Sequence, residues 1–244
     1  MNANIVKNPP KALVFDVFGT CVDWRGSIIR EGRALNRVRG WTIDWEGLVD
    51  AWRGAYQPNM QKVRTGELPW TMLDQLHMMA LKTLLPRFLN GTPRKALVGA
   101  DLQLINAMWH RLKAWPEAVA GLQRIKRKHI IGTMSNGNVA LLTNMAKNAG
   151  LPWDLVLSAE LFQHYKPDAE TYLGAARLLA LPYSQHPFGN QASAHAGERP
   201  LALRPELAIG LPLSRMKRSQ ALGYGSSSCW KTGEIECRRI VQQK

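Results

Sequence analysis

The sequence predicts an α/β protein: a doubly wound parallel sheet with a long helical insertion after the first strand and an atypical C-terminal part. Three observations carry that prediction. Residues 11–16 form an apolar run that ends in Asp16 and is followed by a Gly19-Thr20 turn, the pattern of a buried strand with a carboxylate at its carboxyl tip. Residues 24–110 then turn helical, with Trp41, Trp45, Leu48, Val49 and Trp52 at three- and four-residue spacings. From residue 116 onward short apolar runs alternate with helical patterns, which implies parallel strands joined by crossover helices.

The elements follow in order. Residues 11–16 are the first strand. Within the insertion, 68–89 is an apolar-rich helical stretch, in which Pro69 suits a first turn and Pro86 ends it, and 101–113 is a further helix. Helix is then expected over 116–127, strand over 129–134, helix over 137–149, a short strand over 155–157 and helix over 168–181, where Leu173, Ala176, Arg177 and Ala180 repeat. Residues 11–23 and 114–181 are thus expected to form the core, and 24–113 a helical cap. The tryptophan and methionine stripes of the cap read as core packing.

Residues 182–244 differ in character. They contain no aspartate and scattered Pro, Gly and Ser, and no strand is expected there, because Pro205 and Pro212 interrupt the few apolar residues of 204–213. A change of reading frame near 181–184 would produce such a basic tail and would leave a core strand missing. Each large side chain then left unburied would forfeit ~1.5–3 kcal/mol.

At 244 residues the chain can bury one good core, or a core and a smaller lid. Its 45% hydrophobic and 20% charged residues fit a soluble globular protein. No apolar run approaches the ~18–20 residues of a membrane span, and residues 1–10 carry no signal-peptide block. Cys21, Cys229 and Cys237 show no paired pattern, so neither a disulfide framework nor a zinc site is indicated and a reducing cytoplasm is expected. The formal charge of +14 is spread along the chain without a nucleic-acid-binding signature. It is read as an electropositive enzyme surface that attracts small anions rather than as a nucleic-acid interface.

Four places bear chemistry. Asp16, with Thr20 beside it, is a candidate covalent nucleophile. Met134-Ser135-Asn136-Gly137-Asn138 brings a hydroxyl and an amide to a helix N-terminus, whose free N–H groups favour anions. Tyr165-Lys166-Pro167-Asp168 offers a lysine that can neutralise a nearby carboxylate. Trp52-Arg53-Gly54-Ala55-Tyr56 offers an arginine from the insertion. Singly these are weak signals: a turn, a helix start, a solvated face.

In this order, the segments Phe15-Asp16-Val17-Phe18-Gly19-Thr20, Met134-Ser135-Asn136-Gly137-Asn138 and Ser158-Ala159-Glu160-Leu161-Phe162-Gln163-His164-Tyr165-Lys166-Pro167-Asp168, with Tyr172 beyond them, resemble the haloacid dehalogenase superfamily, and within it the L-2-haloacid dehalogenase (type II) family. The resemblance covers about residues 11–181. It implies a Rossmann-like core with a helical cap, and cofactor-free, metal-free hydrolysis of (S)-2-haloacids to (R)-2-hydroxyacids and halide. Under it, Asp16 attacks the halogen-bearing carbon, Thr20 and Lys166 position Asp16, and Tyr172 supports the site. Ser135 and the backbone amides of Val17 and Phe18 hold the substrate carboxylate, while Arg53 and Asn136 cradle the halide. Arg30, Arg33, Arg37 and Arg39 compete for the role given to Arg53. The partner is then a small 2-halocarboxylate, and the apolar cap could support a homodimer.

Phe18 bears on the reaction. A phosphatase of this superfamily normally carries an acid two residues after the nucleophile to protonate the leaving alcohol. Phe18 cannot donate a proton, and a halide leaves without one. The alternatives are a phosphatase-type hydrolase of the same superfamily and an inactive remnant. The family's fourth motif has no clear counterpart here, and Ala194-His195-Ala196-Gly197-Glu198 echoes it only by chance.

Overall fold

The structure is a computed structural model that describes residues 10–93, 97–181 and the backbone of 207–210. Strand β1 (Ala12–Phe15) is buried along its whole length, as expected of a parallel strand covered on both faces. Its side chains alternate between two cores. Leu13 and Phe15 join a large cluster that continues into the insertion, and Ala12 and Val14 join a smaller one with Met134, Leu157, Tyr172 and Ala175.

One edge of β1 pairs in parallel with Ile130–Thr133, and the other with Leu207–Gly210. The second pairing corrects the expectation that the tail supplies no strand. Pro205 and Pro212 flank the four-residue segment rather than interrupt it, so neither removes a ladder donor from within it. The rest of 182–244, the Ala194–Glu198 echo included, lies outside the described residues.

Residues 155–158 extend the sheet beyond Ile130–Thr133. They do so through isolated bridges (Gly132 with Leu155, Ser135 with Ser158) in place of the continuous strand expected over 155–157. Thr133 and Ser135 donate to Leu155 and Leu157 carbonyls at 3.3 Å. Gly132 permits this approach: a Cβ there would lie 3.0 Å from the Leu155 side chain.

A two-residue ribbon, β2 (Val22–Asp23) against β3 (Lys113–Ala114), brackets the insertion. Between them run α1 (Trp24–Arg39), α2 (Trp45–Gly54), α3 (Tyr56–Arg64), α4 (Leu73–Leu84) and α5 (Gly99–Asn106). Asp23 and Asp44 cap α1 and α2 by accepting the Gly26 and Gly47 amides at 2.8 and 3.0 Å. Two expected helices are shorter than their apolar stretches. The first starts at Leu73, because Pro69 to Thr71 forms a turn closed by the Thr71 hydroxyl, and beyond it Pro86 opens a 3₁₀ turn, Leu85–Arg87. The other stops at Asn106 and tightens into Ala107–Arg111, which delivers Lys113 to the ribbon. Helices α6 (Ala118–Lys126), α7 (Val139–Ala149) and α8 (Ala169–Leu178) lie inside their expected ranges, with β4 (Ile130–Thr133) between the first two and β5 (Leu207–Gly210) last. Among the described residues no helix is long and apolar enough to cross a membrane.

Candidate active site

Asp16 follows directly on β1, where the chain leaves the sheet. Gly19, at φ 80°, turns the backbone so that its amide donates to Val22 O at 3.0 Å. This left-handed turn returns Thr20 over the carboxylate, and its hydroxyl donates to Asp16 Oδ2 at 3.0 Å. Lys166 Nζ donates to the other oxygen, Oδ1, at 2.9 Å and to the Met134 carbonyl at 2.8 Å. Desolvation pulls the ammonium down, but Asp16 and the hydroxyls nearby outweigh it, so Lys166 stays above its ordinary pKa and charged. Cys21, buried below, gives its thiol to the Asp16 carbonyl at 3.5 Å, and burial pushes that thiol far up.

Val17 and Phe18 place their side chains away from this chemistry: Val17 in the main core, Phe18 edge-on to Trp109 at 5.9 Å. The Phe18 amide has no partner among the described residues. Tyr172, on α8, is buried against β1. Burial raises its phenol, and the nearby Lys166 only partly offsets this.

The 134–138 segment lies at the tip of β4, next to Asp16. Ser135 is buried and accepts the Gly137 amide at 3.3 Å. Asn136 is fixed at both ends. Its Oδ1 accepts the Lys166 backbone amide at 2.8 Å, and its Nδ2 donates to Met60 Sδ at 3.3 Å. The start of α7 is less free than expected for anion binding, because Glu160 takes the Val139 amide at 2.7 Å.

Contacts between the insertion and these loops recur. Asn138 Nδ2 donates to Asp74 Oδ2 at 2.9 Å, Arg64 Nε donates to Asp168 at 2.9 Å, and Tyr165 donates its hydroxyl to the Thr71 carbonyl at 2.6 Å. Asp74 also accepts His110 Nε2 at 3.0 Å. Burial opposes its charge, but the His110 and Asn138 bonds hold its pKa below the usual carboxylate range.

Arg53 is distinguished from its competitors by its surroundings. Arg30, Arg33 and Arg39 pair with Asp23, Glu46 and Asp101, and Arg37 lies exposed on the last turn of α1. Arg53 meets no carboxylate among the described residues. Its guanidinium instead lies 4.2 Å from the centre of the Tyr56 ring and 5.8 Å from that of Trp24.

Sequence reasoning missed Met60, Tyr56 and His77. His77 is buried on α4 and stacked on Trp109 at 4.2 Å, with neither ring nitrogen hydrogen-bonded. Burial lowers its pKa to about 3, Asp74 working against that and Arg53 with it, so the ring is neutral. The available signal was a histidine on the apolar stripe Leu73, Leu76, Ala80 and Leu81. Among the described residues no three His, Cys, Asp or Glu side chains are grouped to hold a metal ion.

A carboxylate at the tip of a central parallel strand, bonded to a lysine from a later loop and covered by helices inserted after that strand, defines a class of hydrolases. Residues 10–186 match the family model of haloacid dehalogenase-like hydrolases, and the chain belongs to that family. Within it, the chain is similar to solved L-2-haloacid dehalogenases. One, titled a defluorinating L-2-haloacid dehalogenase, is 38% identical with a TM-score of 0.67, over 71% of this chain and 70% of that one. A second L-2-haloacid dehalogenase is 38% identical with a TM-score of 0.68, over 87% of this chain and 99% of that one. The enzyme from Xanthobacter autotrophicus with chloropropionic acid covalently bound, 22% identical over 71% of this chain and 66% of its own, shares the fold at a TM-score of 0.59. No curated protein matches the chain.

Proposed function

We propose that this chain hydrolyses short (S)-2-haloacids to (R)-2-hydroxyacids and halide through an ester on Asp16. The observation that carries the reading is the Asp16 carboxylate bonded by Thr20 and Lys166, with Phe18 in place of a proton donor two residues on. The 38% identity to solved L-2-haloacid dehalogenases supports the substrate class.

An Asp16 oxygen attacks the halogen-bearing carbon; the C–O bond forms as the carbon–halogen bond breaks, and the halide leaves with the electron pair. Water then attacks the aspartyl carbon, so the hydroxy acid carries away an original Asp16 oxygen. Attack by one anion on another needs compensating charge, which Lys166 and Arg53 supply. Ser135 and the amides of Val17 and Phe18 hold the substrate carboxylate, Arg53 and Asn136 receive the halide, and Tyr172 supports Lys166 from α8. Residues 24–113 act as the cap over a core of 11–23 and 114–181.

Chloride release from (S)-2-chloropropionate without added metal is the first test. A single turnover in oxygen-18 water is the second: label is expected in the Asp16 carboxyl, and label found only in the hydroxy acid overturns the mechanism.

A further inference from the structure

The groups that meet beneath the cap include more hydrogen-bond donors than acceptors. Arg53 faces rings and no described carboxylate. Asn136 has its one acceptor occupied by the Lys166 amide, and it spends an N–H on Met60 sulfur. His77, being neutral, carries an N–H donor on one ring nitrogen and an acceptor on the other, and neither has a partner. The remaining walls, Trp52 and Trp109, add no acceptor, because an indole N–H only donates: that of Trp52 goes to the His77 carbonyl at 2.9 Å, and that of Trp109 meets no partner among the described residues. Tyr56 stands among these groups. Its ring lies under the Arg53 guanidinium, 6.2 Å from His77, and packs with Met60. Asn136, bonded to the Met60 sulfur against which Tyr56 packs, and the charges of Lys166, Arg53 and Asp16 all act on its phenol. Burial holds the phenol above its ordinary pKa, so it keeps its proton. A protonated phenol has its own O–H to give.

We propose that Tyr56 is a further residue of the halide-releasing step: its hydroxyl donates a hydrogen bond to the departing halide and thereby favours small, strongly accepting halides. The proposal rests on the dehalogenase reading above. No proton is transferred; the halide leaves with the bonding pair, and Tyr56 keeps its hydrogen. Acceptor strength falls from fluoride through chloride to bromide, so the benefit falls in the same order. Arg53, as a diffuse cation, discriminates less among them.

Tyr56→Phe removes the O–H and leaves the ring under Arg53. Its halide release from 2-fluoro-, 2-chloro- and 2-bromopropionate is compared with that of the unaltered protein. The expected loss is roughly a hundredfold for fluoride, roughly tenfold for chloride and smaller for bromide, the range for a hydrogen bond to a charged group. Where fluoride release is too slow to read, the chloride-to-bromide ratio decides. Tyr56→His, which retains a ring-borne donor, is expected to recover part of the chloride preference, and Tyr56→Leu, which has no donor, serves in place of Tyr56→Phe should that variant not fold. Binding of sodium fluoride, chloride and bromide, read by tryptophan fluorescence, is expected to weaken in the same order. Equal losses on chloride and bromide, or none, overturn this proposal and leave the dehalogenase reading standing. An unaltered protein that neither releases halide from any 2-haloacid nor binds halide overturns both.

Discussion

At the tip of β1, Asp16 meets Thr20 and Lys166 at 3.0 and 2.9 Å, while in the inserted helices Arg53 faces rings and His77 meets no polar partner among the described residues. On the floor of the site both Asp16 oxygens are matched to donors before any substrate arrives. The roof is not. Matched groups hold a nucleophile in one geometry without reorganisation, which is how a folded site contributes most to an electrostatically demanding step. Unmatched donors keep their capacity for an anion that is absent at rest, at a cost of about 1–3 kcal/mol for each buried group left without a partner.

The sharpest way to break the comparison is at the floor. Asp16→Asn is expected to lower halide release by on the order of 10⁴–10⁶, as removal of other covalent nucleophiles does; ion chromatography of released halide checks it, and a retained rate removes the nucleophile from the scheme. Lys166→Met keeps the carboxylate but strips its ammonium partner, and an expected fall in kcat of about 10²–10³ separates positioning from nucleophilicity.

The roof is tested through pH. His77 has a pKa of about 3 in the folded protein against 6.5 ordinarily, so between those values the unfolded chain binds the extra proton. Stability is therefore full above about pH 6.5 and declines as pH falls toward 3. Between pH 6.5 and 4.5 the decline from this residue is on the order of 2 kcal/mol. Urea unfolding at both pH values should show it, and His77→Phe should flatten it. The smallest effect is expected where roof and floor join: Asn138→Ala loses the bond to Asp74 and should cost about 1–2 kcal/mol in the same assay.

How much of this was legible in the sequence follows from length and period. The apolar run into Asp16 and the helices of the α/β part stood out because their patterns span whole elements. The ribbon of β2 and β3 is two residues a side and has no period to read. Strand β5 was hidden by the prolines near its ends. At the site, Lys166 emerged only from the order of motifs, since it lies 150 residues from the carboxylate it meets. Arg53 came from the same order of motifs, and the carboxylate partners of Arg30, Arg33 and Arg39 now set those three rivals apart from it. Tyr56 lay within the quoted segment around Arg53, but nothing in its spacing distinguished an aromatic beneath a guanidinium from one in ordinary packing.

Lys166 serves the site twice, through its ammonium on Asp16 and through its main-chain amide on Asn136. Side-chain replacement can silence only the first of these duties, whereas any shift of the peptide itself would, under the proposed mechanism, disturb attack and departure together. Engineers seeking a different leaving group should leave that stretch of chain untouched and diversify the helices above it, where selectivity can drift without dislodging the attacking oxygen.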